Sequence, residues 1–333
     1  MPEILAQLRA LPAETKELDL LIASQGGDPT VAWRIVSLLR ERVSKFSVLI
    51  PQAAFSAATL LALGADAVVM HPHGNLGPVD TQISVQRPPS GVSGLPQEVR
   101  FGTEDLHAYF DFARQHAGLS DQEALSRAFE LLCAEVGPIP VGVATRGASL
   151  SLSMGEKLLL THMKGDAEKQ KAQAIAQALS KKYFHHGYPV GRTEARELGL
   201  KVENPSPEVE DIMWRIWLDI EEELQLRVPF NPIAVLRATP ECAALFDPVQ
   251  QVNLPPAIPP ALAQQVLVQV AAQAEVVAIP PATYVAIAGL CESARWATRH
   301  VSRGQIFAAR MPDLQFRVSQ IQEEQGWIDV DLT

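Results

Sequence analysis

An alternation of short apolar runs with helical patterns near the N-terminus constrains the fold most strongly. Apolar runs at 18–24, 45–52 and 66–72 are typical of strands that are buried on both faces. Between them, residues 30–43 carry an amphipathic helical pattern, and residues 57–65 are typical of a small, apolar helix. Strand–helix–strand–helix–strand at this spacing predicts an α/β fold with a parallel sheet and crossover helices.

The sequence pattern changes further along the chain. Residues 81–100 are polar, contain proline and glycine, and are predicted to form a loop. Proline clusters at 254–260 and 278–282 are typical of a linker or an extended arm, and β-like runs with turn signals follow them. We therefore predict three parts: an α/β domain over 1–228, a Pro-rich linker or arm over 229–280, and a small β-rich C-terminal module over 281–333.

Charge and cysteine content exclude several classes of function. The net charge is −10 and no basic stripe is present, which argues against a nucleic-acid partner. The three cysteines lie far apart, in neither a disulfide framework nor a metal-ligand spacing. We find no signal-peptide pattern and no run of 18 apolar residues. We expect a cytoplasmic protein without stable membrane insertion, and no cofactor or metal.

Ser56 and two glycines are the candidate chemical groups. Gly26 and Gly27 follow the first predicted strand, and Ser56 follows the second, so both loops should lie at the carboxyl edge of the sheet. One interpretation is structural: a tight turn and a serine that caps a helix. The other is catalytic: a serine nucleophile, with an oxyanion hole from the amides of Gly26 or Gly27 and of Ala57. The serine does not lie in a G-x-S-x-G elbow.

Five segments together resemble one family of peptidases. They read SQGGDP, SAAT, ADAVVM, LGPVDTQ and FHHGYPVGRTEARELGLKV, and they fall within residues 18–203. They are similar to motifs of the Clp/crotonase-fold serine peptidases, in particular the serine dehydrogenase proteinase family, which is related to signal peptide peptidase A. The resemblance implies a Clp/crotonase-like fold, hydrolysis of peptide or protein substrates, and a homo-oligomer.

Carried over position by position, the resemblance makes Ser56 the nucleophile and supports the same oxyanion hole. Asp80 and His186 also fall on family-like positions and are candidate neighbours of the site. The chain departs from the family pattern at two places. Gln25 replaces the proline before the glycines, and Ala58 replaces the glycine two residues after the serine.

The general base that would activate the serine has two candidates. His71 ends the third predicted strand, a place that resembles the position of the catalytic histidine in the Clp protease, and a histidine titrates near neutral pH. Lys157 lies on a later helix, as the lysine of the Ser–Lys relatives does, and would have to be desolvated to act as a base. An ordinary strand-end histidine and a solvated lysine remain the alternatives.

Two further functions stay open at this stage. A non-catalytic scaffold that keeps the fold is favoured by Gln25, by Ala58 and by Arg146, which falls near the family's lysine position. A crotonase-type enzyme acting on acyl-CoA would share the oxyanion hole, but it would need an acid pair beside that hole instead of a serine.

Overall fold

The chain forms two compact units, Met1–Leu218 and Asp219–Thr333. The computed structural model describes residues 1–87, 97–183, 185–247, 258–273, 276–311 and 315–330. The three-part division predicted from the sequence stays a prediction, and the two units are described here separately.

The first unit is a mixed α/β assembly. Its helices are α1 (Pro2–Ala10), α2 (Pro29–Arg42), α3 (Ala57–Leu63), α4 (Thr103–Gln115), α5 (Gln122–Val136), α6 (Pro138–Leu159), α7 (Asp166–Lys181), α8 (Arg192–Glu197) and the first part of α9 (Pro207–Glu223), whose residues 219–223 belong to the second unit. Its strands are β1 (Glu17–Leu21), β2 (Lys45–Ile50), β3 (Ala53–Ala54), β4 (Ala67–Met70), β5 (Asn75–Leu76), β6 (Gln82–Arg87), β7 (Gln97–Gly102) and β8 (Val202–Glu203).

A four-stranded parallel sheet in the order β1–β2–β4–β8 forms the centre of this unit. Alternate side chains of β2, namely Phe46, Val48 and Ile50, are completely buried, as expected for a strand inside the sheet. Helix α3 is buried at all seven positions, because its residues are alanine and leucine apart from Thr59, whose hydroxyl is hydrogen-bonded. The predicted α/β fold with a parallel sheet and crossover helices is confirmed.

The prediction of a loop over residues 81–100 is wrong for the two ends of this segment, which the structure describes. Strands β6 and β7 pair antiparallel there, with Gln82 opposite Gly102 and Val85 opposite Val99. The apolar side chains of these strands pack against a small buried cluster of Phe101, Leu106 and Ala144. The proline and glycine residues in the middle of the segment concealed this alternation. Residues 88–96 lie outside the described part of the chain.

The second unit contains the predicted C-terminal β structure. Its elements are α10 (Pro232–Ala238), a 3₁₀ helix (Pro240–Phe246), α11 (Pro260–Gln273), β9 (Val277–Ala278), β10 (Ala282–Ser293), β11 (Trp296–Arg310) and β12 (Phe316–Val330). Strands β10, β11 and β12 form an antiparallel sheet in that order, and β9 pairs with β11. The predicted β-rich module is confirmed.

The segment predicted as a Pro-rich linker or arm contains regular secondary structure in its described residues. Where residues 229–280 are described, they include two α-helices and a 3₁₀ helix. Leu236, Cys242 and Leu245 from this segment are completely buried in a core shared with Tyr284 and Ile306 of the sheet. Prolines stand at the start of all three helices, where a missing amide hydrogen costs nothing.

The described helices were also compared with the length and hydropathy that a bilayer span requires. No single helix among them is both long and apolar enough to cross a membrane. Helices α5 and α6 meet the criterion only when taken together, as a pair bent by 93°.

Candidate active site

A cavity of about 200 Å³ lies at the carboxyl edge of the parallel sheet in the first unit. Gln25 and Gly27, from the loop after β1, form one side of it. Ser56 and Ala57, at the start of α3, form another. The two loops that the sequence placed at one sheet edge therefore do meet, as the strand order requires.

Ser56 has an unusual backbone conformation. Its φ of 53° and ψ of −116° lie in a region that normally requires glycine, and holding another residue there costs about 1–3 kcal/mol. The residue stands at the N-cap position of α3, but its side chain makes no capping hydrogen bond. The hydroxyl is therefore not used to cap the helix. A strained serine between a strand and a helix is the arrangement of a nucleophile elbow, although the G-x-S-x-G sequence is absent.

Gly26 lies close against the Ser56 turn. A Cβ atom at residue 26 would lie 2.7 Å from Ser56 Cβ and 2.9 Å from the Phe55 carbonyl oxygen. No such contact is tolerable, and the φ of 114° at this position also favours glycine. The backbone of the glycine turn can thus approach the serine because residue 26 has no side chain.

Two backbone amides at the cavity are available to a ligand. The Gly26 amide donates to Ser24 Oγ at 3.1 Å and is therefore occupied. Among the described residues, the amides of Gly27 and Ala57 have no hydrogen-bond acceptor. Both residues line the cavity beside Ser56. Of the two glycines that the sequence offered, Gly27 is thus the one whose amide could act as an oxyanion donor.

Asp80 and His186 face the same cavity as Ser56. The Nδ1 atom of His186 lies 2.7 Å from Asp80 Oδ1, and Asp80 also accepts a hydrogen bond from Gln82 Nε2 at 2.8 Å. The hydrogen bond to Asp80 raises the pKa of His186, although burial works in the opposite direction. Burial works to raise the pKa of Asp80, but the hydrogen bonds from His186 and Gln82 outweigh it, so the pKa is lowered.

Local pairing explains how residues so distant in sequence meet. Asp80 follows β5, and His186 lies in the loop between α7 and α8. Leu76 of β5 exchanges two backbone hydrogen bonds with Val190, of 3.0 and 2.8 Å. This bridge holds the loop that carries His186 against the segment that leads to Asp80.

Thr59 connects the helix that follows the serine to the loop that carries Asp80. Its side chain is completely buried, and its Oγ1 lies 2.6 Å from the Ala54 carbonyl oxygen and 2.9 Å from the Gly77 carbonyl oxygen. The same oxygen accepts a hydrogen bond from the Gly77 amide at 3.0 Å. One hydroxyl group therefore joins β3, α3 and the loop before Asp80.

Helix α6 forms part of the cavity wall. Ser151 is 4% exposed, lines the cavity, and lies with its Oγ 2.9 Å from Thr81 Oγ1. A Cβ at Gly147 would come within 2.6 Å of Thr81 Cγ2, so the helix runs directly against this loop. Sequence reasoning missed Thr81, Gln82 and Ser151, because single hydroxyl and amide residues in a helix or loop carry no distinguishing pattern.

The structure does not bring either predicted base to the cavity. The His71 ring stacks on Trp214 with 5.0 Å between centroids, and its Nδ1 accepts a hydrogen bond from the His73 amide. Burial lowers the pKa of His71. The Lys157 ammonium lies 3.6 Å from the centroid of the Trp33 ring. Neither residue is among those that line the cavity.

Metal ligation was considered for the whole described part of the chain. Within it, no three or more His, Cys, Asp or Glu side chains are grouped as metal ligands would be.

A parallel α/β sheet that carries a glycine turn and a strained serine at its carboxyl edge defines a protein of ClpP-like fold. Residues 2–101 match the model of one family, the ClpP-like SDH-type serine proteinases. The matched segment contains Gly27, Ser56 and Asp80, but it ends before His186.

Two curated proteins of Methanocaldococcus jannaschii are similar to the chain, and both are described as uncharacterized. One is 28% identical over 206 residues, and the other is 28% identical over 205 residues. Each match covers 62% of this chain, and 60% and 58% of the respective relatives. The chain thus matches somewhat less than two thirds of the length of either relative.

Proposed function

We propose that this protein is a serine peptidase that hydrolyses peptide bonds through Ser56. In this proposal His186 is the general base and Asp80 orients it, in place of the His71 or Lys157 expected from the sequence. The observation that carries the proposal is that all three side chains line one cavity, with His186 and Asp80 already joined at 2.7 Å. The match of residues 2–101 to a family of serine proteinases supports the same chemistry.

Each group has a defined part in the reaction. His186 Nδ1 is engaged by Asp80, so Nε2 is the nitrogen that takes the proton of the Ser56 hydroxyl as Oγ attacks the substrate carbonyl. The amides of Gly27 and Ala57 donate to the oxyanion that forms. The protonated His186 then gives its proton to the leaving amine. Water, deprotonated in turn by His186, hydrolyses the acyl-enzyme and restores the Ser56 hydroxyl.

Among the described residues, no hydrogen bond joins Ser56 and His186. Catalytic hydrogen bonds of this kind are often long before substrate binds and shorten in the Michaelis complex. The side chain of His186 is 37% exposed and lies in a loop, so a small movement of that loop can bring it closer to Ser56. The Asp80 contact limits the ring to orientations in which Nε2 faces away from Asp80.

A fluorophosphonate probe followed by intact-mass analysis tests the proposal. We expect one adduct on the wild-type protein, none on Ser56→Ala, and labelling of His186→Gln slowed by about 10²–10⁴-fold. Ser149→Ala is the matched control, because Ser149 is an exposed serine on α6 and should label at the wild-type rate. His71→Ala and Lys157→Ala should also label normally.

Peptidase activity requires a second measurement, since labelling reports only an activated serine. The wild-type protein that has not been treated with the probe should release fragments from an unfolded protein substrate, and Ser56→Ala should not. Absence of a wild-type adduct, or an adduct that persists in Ser56→Ala, contradicts the proposal and favours a non-catalytic scaffold. Slow labelling of His71→Ala together with normal labelling of His186→Gln would instead identify His71 as the general base.

A further inference from the structure

We infer that the cavity beside Ser56 accepts only a small, uncharged side chain on the residue whose carbonyl is attacked. This inference rests on the proposed function and names the class of peptide that the site would cleave. Alanine, serine and threonine fit this description, whereas aromatic, acidic and basic residues do not.

The size of the cavity limits the side chain. Its volume of about 200 Å³ lies below the roughly 300–1,000 Å³ of sites that enclose drug-sized ligands. Part of this space must also hold the reacting peptide group, since Ser56, Gly27 and Ala57 all face it. The remaining volume suits a side chain of a few heavy atoms.

The part of the wall formed by α3 and α6 is closely packed and leaves little room for expansion. Leu60 and Ser151 are 2% and 4% exposed, and a hydrogen bond of 2.9 Å joins Ser151 Oγ and Thr81 Oγ1. A Cβ at Gly155 would lie 3.3 Å from Ala176 Cβ and 3.7 Å from Leu60, so α6 is close to α3 and α7 together. Moving α6 outward would break these contacts, which a close-packed interior resists.

The charges at the cavity exclude ionised side chains. Asp80 and His186 are the ionisable residues that line it, and they are paired with each other. An acidic side chain would lie close to Asp80 and be repelled, whereas a basic one would compete with His186 for that carboxylate. The neutral hydroxyl and amide groups of Thr81, Gln82 and Ser151 offer hydrogen bonds without charge.

Peptidyl diphenyl phosphonates that carry alanine, phenylalanine, lysine or glutamate at the reacting position test the inference on the full-length protein. The rate of adduct formation is measured by intact mass, and a simple fluorophosphonate without a side chain gives the reactivity of Ser56. We expect the alanine reagent to label at least about tenfold faster than the other three. Equal rates, or a faster phenylalanine, lysine or glutamate reagent, would overturn the inference and leave the peptidase proposal standing. Failure of the fluorophosphonate itself would overturn both.

A pair of variants tests whether this cavity causes the preference. Ser151→Leu places a larger side chain at the cavity wall, and Ser149→Leu makes the same change at an exposed position of the same helix. We expect the first to slow the alanine reagent by about tenfold or more relative to the fluorophosphonate, and the second to leave that ratio unchanged. An unchanged ratio in a folded Ser151→Leu variant contradicts the inference. If that variant does not fold, the labelling rates of the four phosphonates on the wild-type protein still test the inference.

Discussion

At the scale of single residues, the backbone of Ser56 holds a conformation that its side chain does not favour. The φ of 53° is maintained because α3 is buried at every position and because the turn before it is held by Thr59. Strain of this kind persists only where the surrounding structure fixes it, and it is often found at functional sites. Its energetic cost is therefore open to direct measurement.

Ser56→Gly should be more stable than Ser56→Ala by about 1 kcal/mol, because glycine accepts the conformation that alanine must be forced into. Urea denaturation measures the difference. Gln225, with a φ of 51°, is the control: Gln225→Gly should also be more stable than Gln225→Ala, without any loss of fluorophosphonate labelling. If Ser56→Ala and Ser56→Gly had the same free energy of unfolding, the turn would not be strained.

The rate of Ser56 labelling should rise with pH through the pKa of His186 and then level off, because only the neutral imidazole can accept a proton. The hydrogen bond to Asp80 places that pKa above its usual value of 6.5. Asp80→Asn should therefore move the midpoint to lower pH and reduce the plateau rate by about 10⁴-fold. The pH dependence of labelling measures both effects. Asp66, which pairs with Arg40 at 2.7 Å and does not line the cavity, provides the control. An unchanged midpoint in Asp80→Asn, or an equal shift in Asp66→Asn, would contradict the assignment.

The same pair contributes to stability within a limited pH range. Because the pKa of His186 is raised on folding, its contribution is full below 6.5 and is lost as pH rises through the folded value. Because the pKa of Asp80 is lowered, its contribution is full above 3.8 and is lost as pH falls through the folded value. The pair therefore stabilises the fold most between about pH 4 and 6.5.

The sequence could indicate Ser56 and the glycine turn because both lie just after strands, and strand ends share one edge of a parallel sheet. It could not indicate that His186 pairs with Asp80. His186 is remote from Ser56 in sequence, and the two loops meet only through the bridge between Leu76 and Val190. His71 was favoured by its place at a strand end, but its ring lies against Trp214 instead.

At the scale of secondary structure elements, continuous apolar runs and helical periodicity were sufficient to predict β1, β2 and β4 and the helices between them. The β6–β7 hairpin and the helices of the second unit were missed for one reason. Proline and glycine were interpreted as signs of irregular chain, whereas here prolines begin helices and the apolar alternation of the hairpin continues on both sides of the polar segment.

Two glycines of α6 provide a matched test of how closely this helix approaches the site. Gly142 has open space where a Cβ would go, so Gly142→Ala should stabilise the protein by roughly 0.5–1 kcal/mol. The same change at Gly147 would collide with Thr81, so it should destabilise by about 1 kcal/mol and slow labelling of Ser56. Denaturation and labelling rates measure both. If Gly147→Ala also stabilises, α6 does not fix the loop that carries Asp80.

At the scale of the whole molecule, the groups proposed for catalysis all belong to the first unit. Its main core contains Phe46, Leu60 and Leu158, while the second unit has a smaller core of its own around Leu236 and Ile306. Each unit thus buries a separate set of apolar side chains. The peptidase chemistry proposed here requires no residue beyond the first unit.

A chain that ends after residue 228 should therefore fold and react with the fluorophosphonate at the rate of the full-length protein. Circular dichroism and a thermal transition establish folding, and intact mass gives the labelling rate. Ser56→Ala in the shortened chain is the control for specific labelling. A shortened chain that folds but does not label would show that the second unit contributes to the site.

The close approach of Gly26 to Ser56 also has an evolutionary consequence. Residue 26 can carry a side chain only if the turn at residue 56 relaxes, so the two positions should not vary independently among descendants of this gene. A lineage that abandoned the serine would lose the reason to keep the strained turn, and substitutions at position 26 would then become permissible. Replacement of this glycine would thus be a marker of relatives that have given up the chemistry while keeping the fold.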